Sequence, residues 1–420
     1  MVPEVVDPQP GSSGDPVDTA RRSMAGARRG LWGFYISGLL MSSLGALLLA
    51  WRHHIEPDFI LIGTYFLVQN LGAAAVNLFG QKLLRRKGIA FCLAAGCVTA
   101  TAGLLVLAGF TPPLHWAGRL SGLLIIGAGA GMLQSAAFHA IAPAYELDAA
   151  STLTLAGTLY TLGGLTSALV VGGTIFAYTT PSILIFMAIA PAFAFGFFLR
   201  LQMPDDPVVN QPSWKQTVSD FRSPAAILFA ALLFFQFGNE GAMAGWLAIF
   251  LSQNLGLSPA TSLSILALYW FVLLLGRVIG QRLLPRFPHG RLLAVAVIGP
   301  MFACLVLTFT NNVFGAITGA VLAAAGFAMI LPLVAEKTGD RFPYFHPGFF
   351  SGIFTLAMTG AMLAPASLGY FAHWLGVGVV MSLPLLGSIM VALLLLLIWL
   401  ESRLSRPAEP KHAGHNPTAG

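Results

Sequence analysis

The sequence has little charge and little cysteine. Only 9% of its 420 residues are charged, whereas a soluble domain usually carries about 25%. Its three cysteines, Cys92, Cys97 and Cys304, lie in apolar runs, and an odd number without a framework argues against structural disulfides. His/Cys clusters with metal-ligand spacing, phosphate-binding loops and nucleophile elbows are also missing from the sequence. These absences exclude a soluble globular domain and predict no metal, no cofactor and no enzymatic activity.

Long apolar runs dominate what is present. Hydrophobic residues make up 56% of the chain, and stretches of roughly 20 apolar residues, each able to span the roughly 30 Å hydrocarbon core as a helix, recur throughout. A membrane barrel is excluded because its strands would be about 10 residues long with alternating polarity. The pattern predicts an all-α membrane protein with about twelve transmembrane helices. The predicted spans are 30–51, 58–80, 88–109, 116–141, 151–178, 181–201, 224–251, 259–284, 290–310, 312–335, 348–373 and 377–400.

Polar segments divide the chain into five parts. Residues 1–29 are rich in Pro, Gly, Ser and Asp and are predicted to form a disordered cytoplasmic tail. The one long polar interruption, 202–223, is predicted to be a cytoplasmic linker between two six-helix bundles, 30–201 and 224–400. Residues 401–420 are polar again and are predicted to form a second cytoplasmic tail.

The distribution of lysine and arginine predicts the orientation. With the N-terminus in the cytoplasm, 19 of the 22 basic residues fall on cytoplasmic segments, and only Arg52 falls in an outer loop. Because cytoplasmic loops carry an excess of basic residues, both termini are expected in the cytoplasm and the chain in the cell (inner) membrane. The net charge of +6 therefore reflects topology, and nucleic acid is not expected as a partner.

An internal repeat relates the two halves. Residues 80–86 read GQKLLRR and residues 280–286 read GQRLLPR, and the same offset of 200 pairs Gly38 with Gly238. The register holds over about 50 residues, which predicts a structural repeat and not a chance match. Parallel repeats of six helices, related by an axis along the membrane normal, are typical of the two halves of a major facilitator fold. The sequence therefore predicts two pseudo-symmetric six-helix bundles.

Motifs in the fourth and seventh spans carry a family resemblance. Residues 235–291 contain a Gly-x-Glu ending at Glu240, then Trp246, then a Gly-Arg before a basic loop, and residues 127–140 read GAGAGMLQSAAFHA. These motifs resemble the fucose:proton symporter-like branch of the major facilitator superfamily, which includes sodium–glucose transporter-like members. The likeness runs over residues 32–400. It implies a secondary transporter that moves a small polar solute, such as a sugar or related metabolite, with a proton or sodium as coupling ion.

The sequence departs from that branch at several polar positions. Amides that typically help hold sugar hydroxyls in the branch are replaced here by Phe138, Thr154 and Gly157. The fucose symporter also uses an acid in its first helix, but Leu40 is the repeat partner of Glu240 and the first span contains no acid. These departures weaken the expectation of a sugar substrate.

Glu240 is the strongest candidate for a functional residue because it is the only acid placed well inside a span. An ionisable group in hydrocarbon is costly and normally faces a cavity or a partner. Gln236 lies one turn earlier on the same helix face. The pair predicts a proton, sodium or substrate site, and the alternative is a structural hydrogen bond to a neighbouring helix. The other predicted ion-coupling or substrate residues are Asn239, Gln134, His139, Asn70, Tyr35, Tyr160 and Trp246.

Basic residues near the cytoplasmic ends of the helices are candidates for gating. Arg277 closes the eighth span and is predicted to brace a gate by pairing with an acid or a helix C-terminus at the inner face, the alternative being contact with an anionic solute. Two repeat-equivalent basic turns are predicted to brace helix ends in the same way. Their gating residues are Lys82, Arg85, Arg86, Arg282 and Arg286.

Two functions from different classes remain open. The first is secondary active transport of a small polar solute by alternating access, driven by a proton gradient or, as second choice, a sodium gradient. The second is a non-transporting membrane receptor or scaffold on the same fold. The expected partners are the solute and the lipid bilayer, and the protein is expected to be a monomer.

Overall fold

Helices form the ordered framework of the chain. The computed structural model describes residues 16–200, 219, 221–341 and 352–404, and the described residues contain no strands. A six-residue helix, Ala142–Leu147, follows α4, and a 3₁₀ turn, Val377–Met381, precedes α12. The long helices are α1 (Pro16–Ala50), α2 (Phe59–Lys87), α3 (Ile89–Gly109), α4 (Trp116–Ala140), α5 (Ala149–Thr174), α6 (Thr180–Leu199), α7 (Pro224–Asn254), α8 (Pro259–Leu283), α9 (His289–Phe309), α10 (Val313–Arg341), α11 (Gly352–Leu375) and α12 (Ser382–Leu404).

Each predicted span falls on one of these twelve helices. Eleven stretches within the described residues are long and apolar enough to cross a membrane, and α11 completes the set with 24 residues. The predicted all-α membrane fold is therefore confirmed. The described parts of the chain differ from the prediction mainly at helix ends and in the short helix Ala142–Leu147, which the apolar pattern does not reveal.

The prediction of a disordered tail is wrong for its second half. Helix α1 begins at Pro16, well inside the predicted tail 1–29. Proline is favourable at the first helical position, and the Ala, Arg and Met residues that follow it are strong helix formers. Residues 1–15 lie outside the described residues, as do most of the predicted linker 202–223 and residues 405–420 of the second tail.

Helix contacts repeat between the two halves with a shift of six helices. Helix α1 packs on α5 as α7 packs on α11, α2 packs on α4 as α8 packs on α10, and α3 packs on α6 as α9 packs on α12. The halves meet where α2 packs on α11 and α5 packs on α8, two contacts that the same shift exchanges. Helices α1 and α7 also touch. The two pseudo-symmetric six-helix bundles predicted from the repeat are confirmed.

Glycines at repeat-equivalent positions let helices cross closely. Gly38 lies against the backbone of Tyr160 where α1 crosses α5, and a Cβ there would overlap the Tyr160 carbonyl. Its repeat partner, Gly238, lies against Ala364 and the backbone of Gly360 where α7 crosses α11. Helices in membranes associate largely by close packing through small residues, so these crossings hold each bundle together.

Replacing Gly38 by alanine is expected to lower the apparent Tm of the purified protein, because the added methyl forces two backbones apart. Overpacking of this kind costs about 1–3 kcal/mol. Gly196 in α6 faces open space, so Gly196→Ala is a matched control that should leave Tm unchanged or slightly higher, since alanine is the better helix former. Equal Tm values for the two variants would contradict the close α1–α5 crossing.

Large apolar side chains cover the outer surface of the peripheral helices. The side chains of Phe186, Ile189 and Phe193 on α6 are more than half exposed. The side chains of Val295 and Phe302 on α9 are also more than half exposed. Continuous apolar surface of this kind is rare on soluble monomers. It matches an integral membrane protein whose peripheral helices face lipid tails.

The two ends of the helix bundle differ in charge. We call one end the basic face: it carries the α2–α3 turn at Gly88 and the α8–α9 turn at 284–288. The other end, the opposite face, carries the connections 51–58, 110–115, 175–179, 255–258 and 310–312. The basic residues around the two turns are Lys82, Arg85, Arg86, Lys87, Arg282, Arg286 and Arg291.

The charge difference predicts the orientation in the membrane. A green fluorescent protein fused after Gly88 should fluoresce, because that turn is expected in the cytoplasm. An alkaline phosphatase fused after Gly256, in the α7–α8 connection at the opposite face, should be active because that enzyme needs an oxidising compartment. The reverse pattern of signals would overturn the predicted orientation.

Candidate functional site

A cavity of about 230 Å³ lies between the two bundles. Helices α1, α2, α4 and α5 line it from the first half, and α7, α8, α10 and α11 line it from the second half. On α4, α5 and α10 the lining residues lie in the part of the helix closer to the basic face, and on α8 they run from Tyr269 in the middle of the helix to Arg277 nearer that face. The cavity therefore extends from the middle of the bundle towards the basic face.

Close packing shuts the cavity towards the opposite face. Gly45 of α1 lies against the backbone of Ala244 and Gly245 on α7. Further towards the opposite face, Gly63 of α2 lies against Gly369 of α11. In both places the lack of a side chain lets the two bundles meet backbone to backbone.

Glu240 on α7 occupies the cavity wall. Its Oε1 accepts a hydrogen bond of 2.8 Å from Nε2 of Gln236, and its Oε2 lies 3.5 Å from Nη2 of Arg277. The side chains of Glu240 and Arg277 are 21% and 5% exposed. Charge-assisted hydrogen bonds are normally about 2.7–2.9 Å long, so this ion pair is loose. Within the described residues, no group of three or more His, Cys, Asp or Glu side chains offers a metal site.

Arg277 joins the two bundles across the cavity. Its Nη1 donates to the carbonyl of Gly157 at 2.7 Å and to the hydroxyl of Thr161, both on α5. A Cβ at Gly157 would lie only 3.1 Å from Cζ of the guanidinium. The glycine therefore provides the space that the guanidinium occupies.

The predicted pairing of Arg277 with an acid is present, but its location differs from the prediction. The pair lies in the cavity wall and not at the inner ends of the helices. The reason is the position of Arg277 almost two turns before α8 ends at Leu283. From there its long side chain reaches inward to Glu240 and across to Gly157.

Other polar side chains predicted from the sequence also line the cavity. They include Gln134, Asn70 and Tyr160. Asn70 Nδ2 donates to the carbonyl of Phe66 at 2.9 Å. The neighbouring lining residue Gln69 donates through Nε2 to the carbonyl of Leu40 at 3.1 Å. Two of the side-chain amides near the cavity thus each donate a hydrogen bond to a backbone carbonyl.

The α1 wall of the cavity was not predicted from the sequence. Met41 and Gly45 line the cavity, and so do their partners at an offset of 200, Gly241 and Gly245. The internal repeat could have predicted this wall. The offset of 200 residues maps the face of α7 that carries Glu240 onto a face of α1, which is then expected to line the cavity as well. Ser42, on that wall, hydrogen-bonds to Ser167 at 3.1 Å.

Two residues of α7 that were predicted to contact the solute lie outside the cavity lining. Asn239 Nδ2 donates to Oγ of Ser388 on α12 at 3.3 Å, and Trp246 Nε1 donates to the carbonyl of Pro365 at 2.8 Å. Neither residue lines the cavity. Consecutive residues of a helix point in directions roughly 100° apart, so a neighbour of Glu240 in sequence faces another helix. Both side chains hold α7 against the helices behind it.

Two further residues that were predicted to contact the ion or solute also lie outside the cavity lining. His139 is buried near the end of α4, where its Nδ1 lies 2.8 Å from the carbonyl of Ser135. Tyr35 donates from its hydroxyl to Oγ1 of Thr166 on α5 at 3.3 Å. Neither side chain belongs to the cavity lining. They contribute to packing within the first bundle.

The predicted gating residues point into solvent at the basic face. Lys82, Arg85, Arg86, Arg282 and Arg286 are all exposed. The contacts between basic and acidic side chains described at this face are His289–Glu336 at 2.7 Å and Arg341–Glu401 at 2.5 Å, and both join helices of the second bundle. A gating role for the five residues therefore stays a prediction.

Arg119 stabilises the opposite face of the first bundle. Its Cζ lies 5.9 Å from the ring of Trp51 and 5.7 Å from the ring of Tyr65, in a buried cation–π cluster. His53 packs against the same two rings. Burial, together with the positive charge of Arg119, lowers the pKa of His53 to about 4, so this imidazole is neutral at physiological pH.

The structure is similar to crystal structures of the E. coli fucose:proton symporter FucP, with a TM-score of 0.64 and 14% identity, and of FucP in the outward conformation, with a TM-score of 0.62 and 15% identity. Each match covers 90% of this chain and 99% of the other. At this identity the likeness concerns the fold.

Sequence comparison gives one curated relative and a family. The chain is 24% identical over 142 residues to an uncharacterised major-facilitator-type transporter of Yersinia pestis, a match that covers 34% of this chain and 37% of the relative. The family model of the Major Facilitator Superfamily matches residues 31–359, which include the helices of the first bundle from Leu31 onwards, α7 to α10 of the second bundle and the cavity residues on α1 to α10. The chain therefore belongs to the Major Facilitator Superfamily.

Proposed function

We propose that the chain is a secondary active transporter that moves a small polar solute across the inner membrane by alternating access, with the proton as coupling ion. The observation that carries the proposal is the Glu240–Arg277 pair in the wall of a cavity shared by both bundles. An ionisable group within a membrane span is costly and normally serves an ion or substrate pathway. Glu240 is the one acid among the described residues that line the cavity.

The arrangement of the bundles supports alternating access. The cavity is shut towards the opposite face by glycine contacts such as Gly45 with Gly245. A rocking motion of one bundle against the other would separate these contacts and close the basic side. With the predicted orientation, the described conformation corresponds to the state closed to the outside.

The residues around Arg277 argue against a sugar of the kind named for the structural neighbours. Gly157, which replaces an amide of the resembling branch, is covered by the guanidinium of Arg277. Phe138, which replaces another amide, lines the cavity with its apolar ring. Both substitutions remove hydrogen-bonding groups that would hold hydroxyls.

Solute flux into proteoliposomes tests the proposal. A thermal-shift screen first identifies ligands, because a solute that binds only the folded protein raises its apparent Tm. Uptake of each ligand is then measured with an imposed proton gradient, with a sodium gradient and without a gradient. Accumulation driven by the proton gradient is expected. Accumulation driven only by the sodium gradient would show that sodium, and not the proton, is the coupling ion. Binding without any flux would favour a receptor or scaffold.

A further inference from the structure

We propose that the solute carries a single carboxylate, that Arg277 binds this carboxylate, and that protonation of Glu240 releases the guanidinium for it. This inference rests on the proposed transport function and names its substrate class. Arg277 and Glu240 are the charged side chains among the described residues that line the cavity. Arg277 is therefore the one described lining residue that can neutralise an anion.

The guanidinium has an unused binding edge. Its Nη1 is occupied by the Gly157 carbonyl and the Thr161 hydroxyl, while Nη2 makes only the loose 3.5 Å contact to Glu240. The buried Nε has no hydrogen-bond partner in the described part of the chain. An unpaired buried donor is costly. Nε and Nη2 form the side of the guanidinium that binds a carboxylate through two parallel hydrogen bonds.

Glu240 competes with such a solute for the same edge. As long as Glu240 is ionised, the Arg277 charge is already balanced and a second carboxylate nearby would be repelled. A proton on Glu240 removes its negative charge and leaves Arg277 as an uncompensated buried cation. That state favours the entry of an anionic group, so proton and solute anion enter as an electrically balanced pair.

Gln236 is able to hold Glu240 in both charge states. Its Nε2 donates to the carboxylate in the described structure, and its buried Oε1 has no hydrogen-bond partner among the described residues. Rotation of the amide by half a turn presents Oε1 to a protonated Glu240, which then donates. Tyr160 from α5 and Tyr269 from α8 are the other titratable groups that interact with Glu240. The described lining residues of α1 and α11 carry no charge, and they are Phe34, Met41, Ser42, Gly45, Met358, Ala361 and Pro365.

The rest of the cavity fits a small apolar or aromatic body. Its walls include the rings of Phe34, Phe66, Phe138, Phe237 and Trp270. Such rings bury apolar surface and stack on other rings. With a volume of about 230 Å³ the cavity accepts a small molecule only. The structure thus points to an aromatic or branched aliphatic monocarboxylate.

Binding of matched acids and amides tests the inference. Benzoate, phenylacetate and isovalerate are compared with benzamide, phenylacetamide and isovaleramide by thermal shift and by calorimetry on the purified full chain. The acids are expected to bind, and more tightly at lower pH, because protonation of Glu240 frees Arg277. The amides should bind much more weakly. Amides that bind as tightly as the acids, or acids that produce no shift, would overturn the inference.

Variants separate the roles of the two charges. Arg277→Gln should weaken binding of the acids on the order of 100-fold, as loss of one partner of a buried charge pair does. Arg200→Gln removes an exposed charge at the end of α6 and should leave binding unchanged. Glu240→Gln should bind the acids at least as tightly as the wild type at low pH, and without its pH dependence. This variant keeps the test decisive if Arg277→Gln does not fold. Weaker binding in Glu240→Gln contradicts the inference.

The inference and the proposed function fail in different ways. If a neutral solute is accumulated under a proton gradient while the acids do not bind, the transport function stands and the carboxylate assignment is wrong. If the acids bind but no gradient drives their flux, the site stands and the transport function is wrong.

Discussion

Replacing Glu240 by glutamine is expected to abolish accumulation of the solute against its gradient while exchange of solute across the membrane persists. Glutamine keeps the size of the side chain and its hydrogen bond to Gln236, but it resembles the protonated state and cannot release a proton. The carrier can then change conformation with solute bound but no longer couples this step to the proton gradient. Uptake and exchange of labelled solute in the same proteoliposomes measure the two activities.

A second carboxylate, outside the cavity, provides the control for Glu240→Gln. Glu336→Gln removes a carboxylate that pairs with His289 outside the cavity, and it should leave accumulation unchanged. If Glu240→Gln loses accumulation and exchange together, Glu240 contacts the solute directly. If neither activity changes, the carboxylate does not couple transport to an ion.

A covalent link across the opposite face is expected to reduce transport to the level of empty liposomes. Gln253 at the end of α7 donates a hydrogen bond to the carbonyl of His54, which follows α1. Both residues are partly buried. Cysteines at these positions, joined by a short bifunctional thiol reagent, would hold the bundles closed at this face. Alternating access requires that they separate there, and a reductant that cleaves the link should restore transport.

A second cysteine pair controls for the chemistry. Thr179 and Ser182 are exposed at the start of α6, within one bundle. Oγ1 of Thr179 lies 2.9 Å from Oγ of Ser182. A link between Thr179→Cys and Ser182→Cys should not affect transport. The native cysteines, Cys92, Cys97 and Cys304, are buried and should not react. Full transport by the protein linked between His54→Cys and Gln253→Cys would contradict alternating access through this face.

The fold was predictable because it depends on physical quantities that are local in sequence. Apolar runs long enough to span a bilayer identify helices one by one, and each predicted span lies on a helix of the structure. The repeat of GQKLLRR and GQRLLPR relates the halves before any contact is known. The start of α1 at Pro16 was not predicted, because charged residues lower the hydropathy of this segment without lowering its helix propensity.

The site was predictable only in part because side-chain direction depends on how helices are rotated in the bundle. Glu240 was identified because an ionisable group in hydrocarbon is costly in free energy. Gln236 was identified because it lies one helical turn before Glu240. Asn239 and Trp246 are close to Glu240 in sequence but face α12 and α11. Nothing in the local sequence of α5 indicates that Gly157 makes room for an arginine of another bundle. That contact becomes visible only when the two halves are brought together.

Proton movement on addition of solute tests the central claim most directly. Proteoliposomes without an ion gradient are placed in weakly buffered medium with a pH electrode, and a solute identified by thermal shift is added outside. The account predicts a transient rise of the external pH in the wild type, because protons enter with the solute, and no rise with Glu240→Gln. Uptake of solute by the wild type without any change of external pH would contradict it.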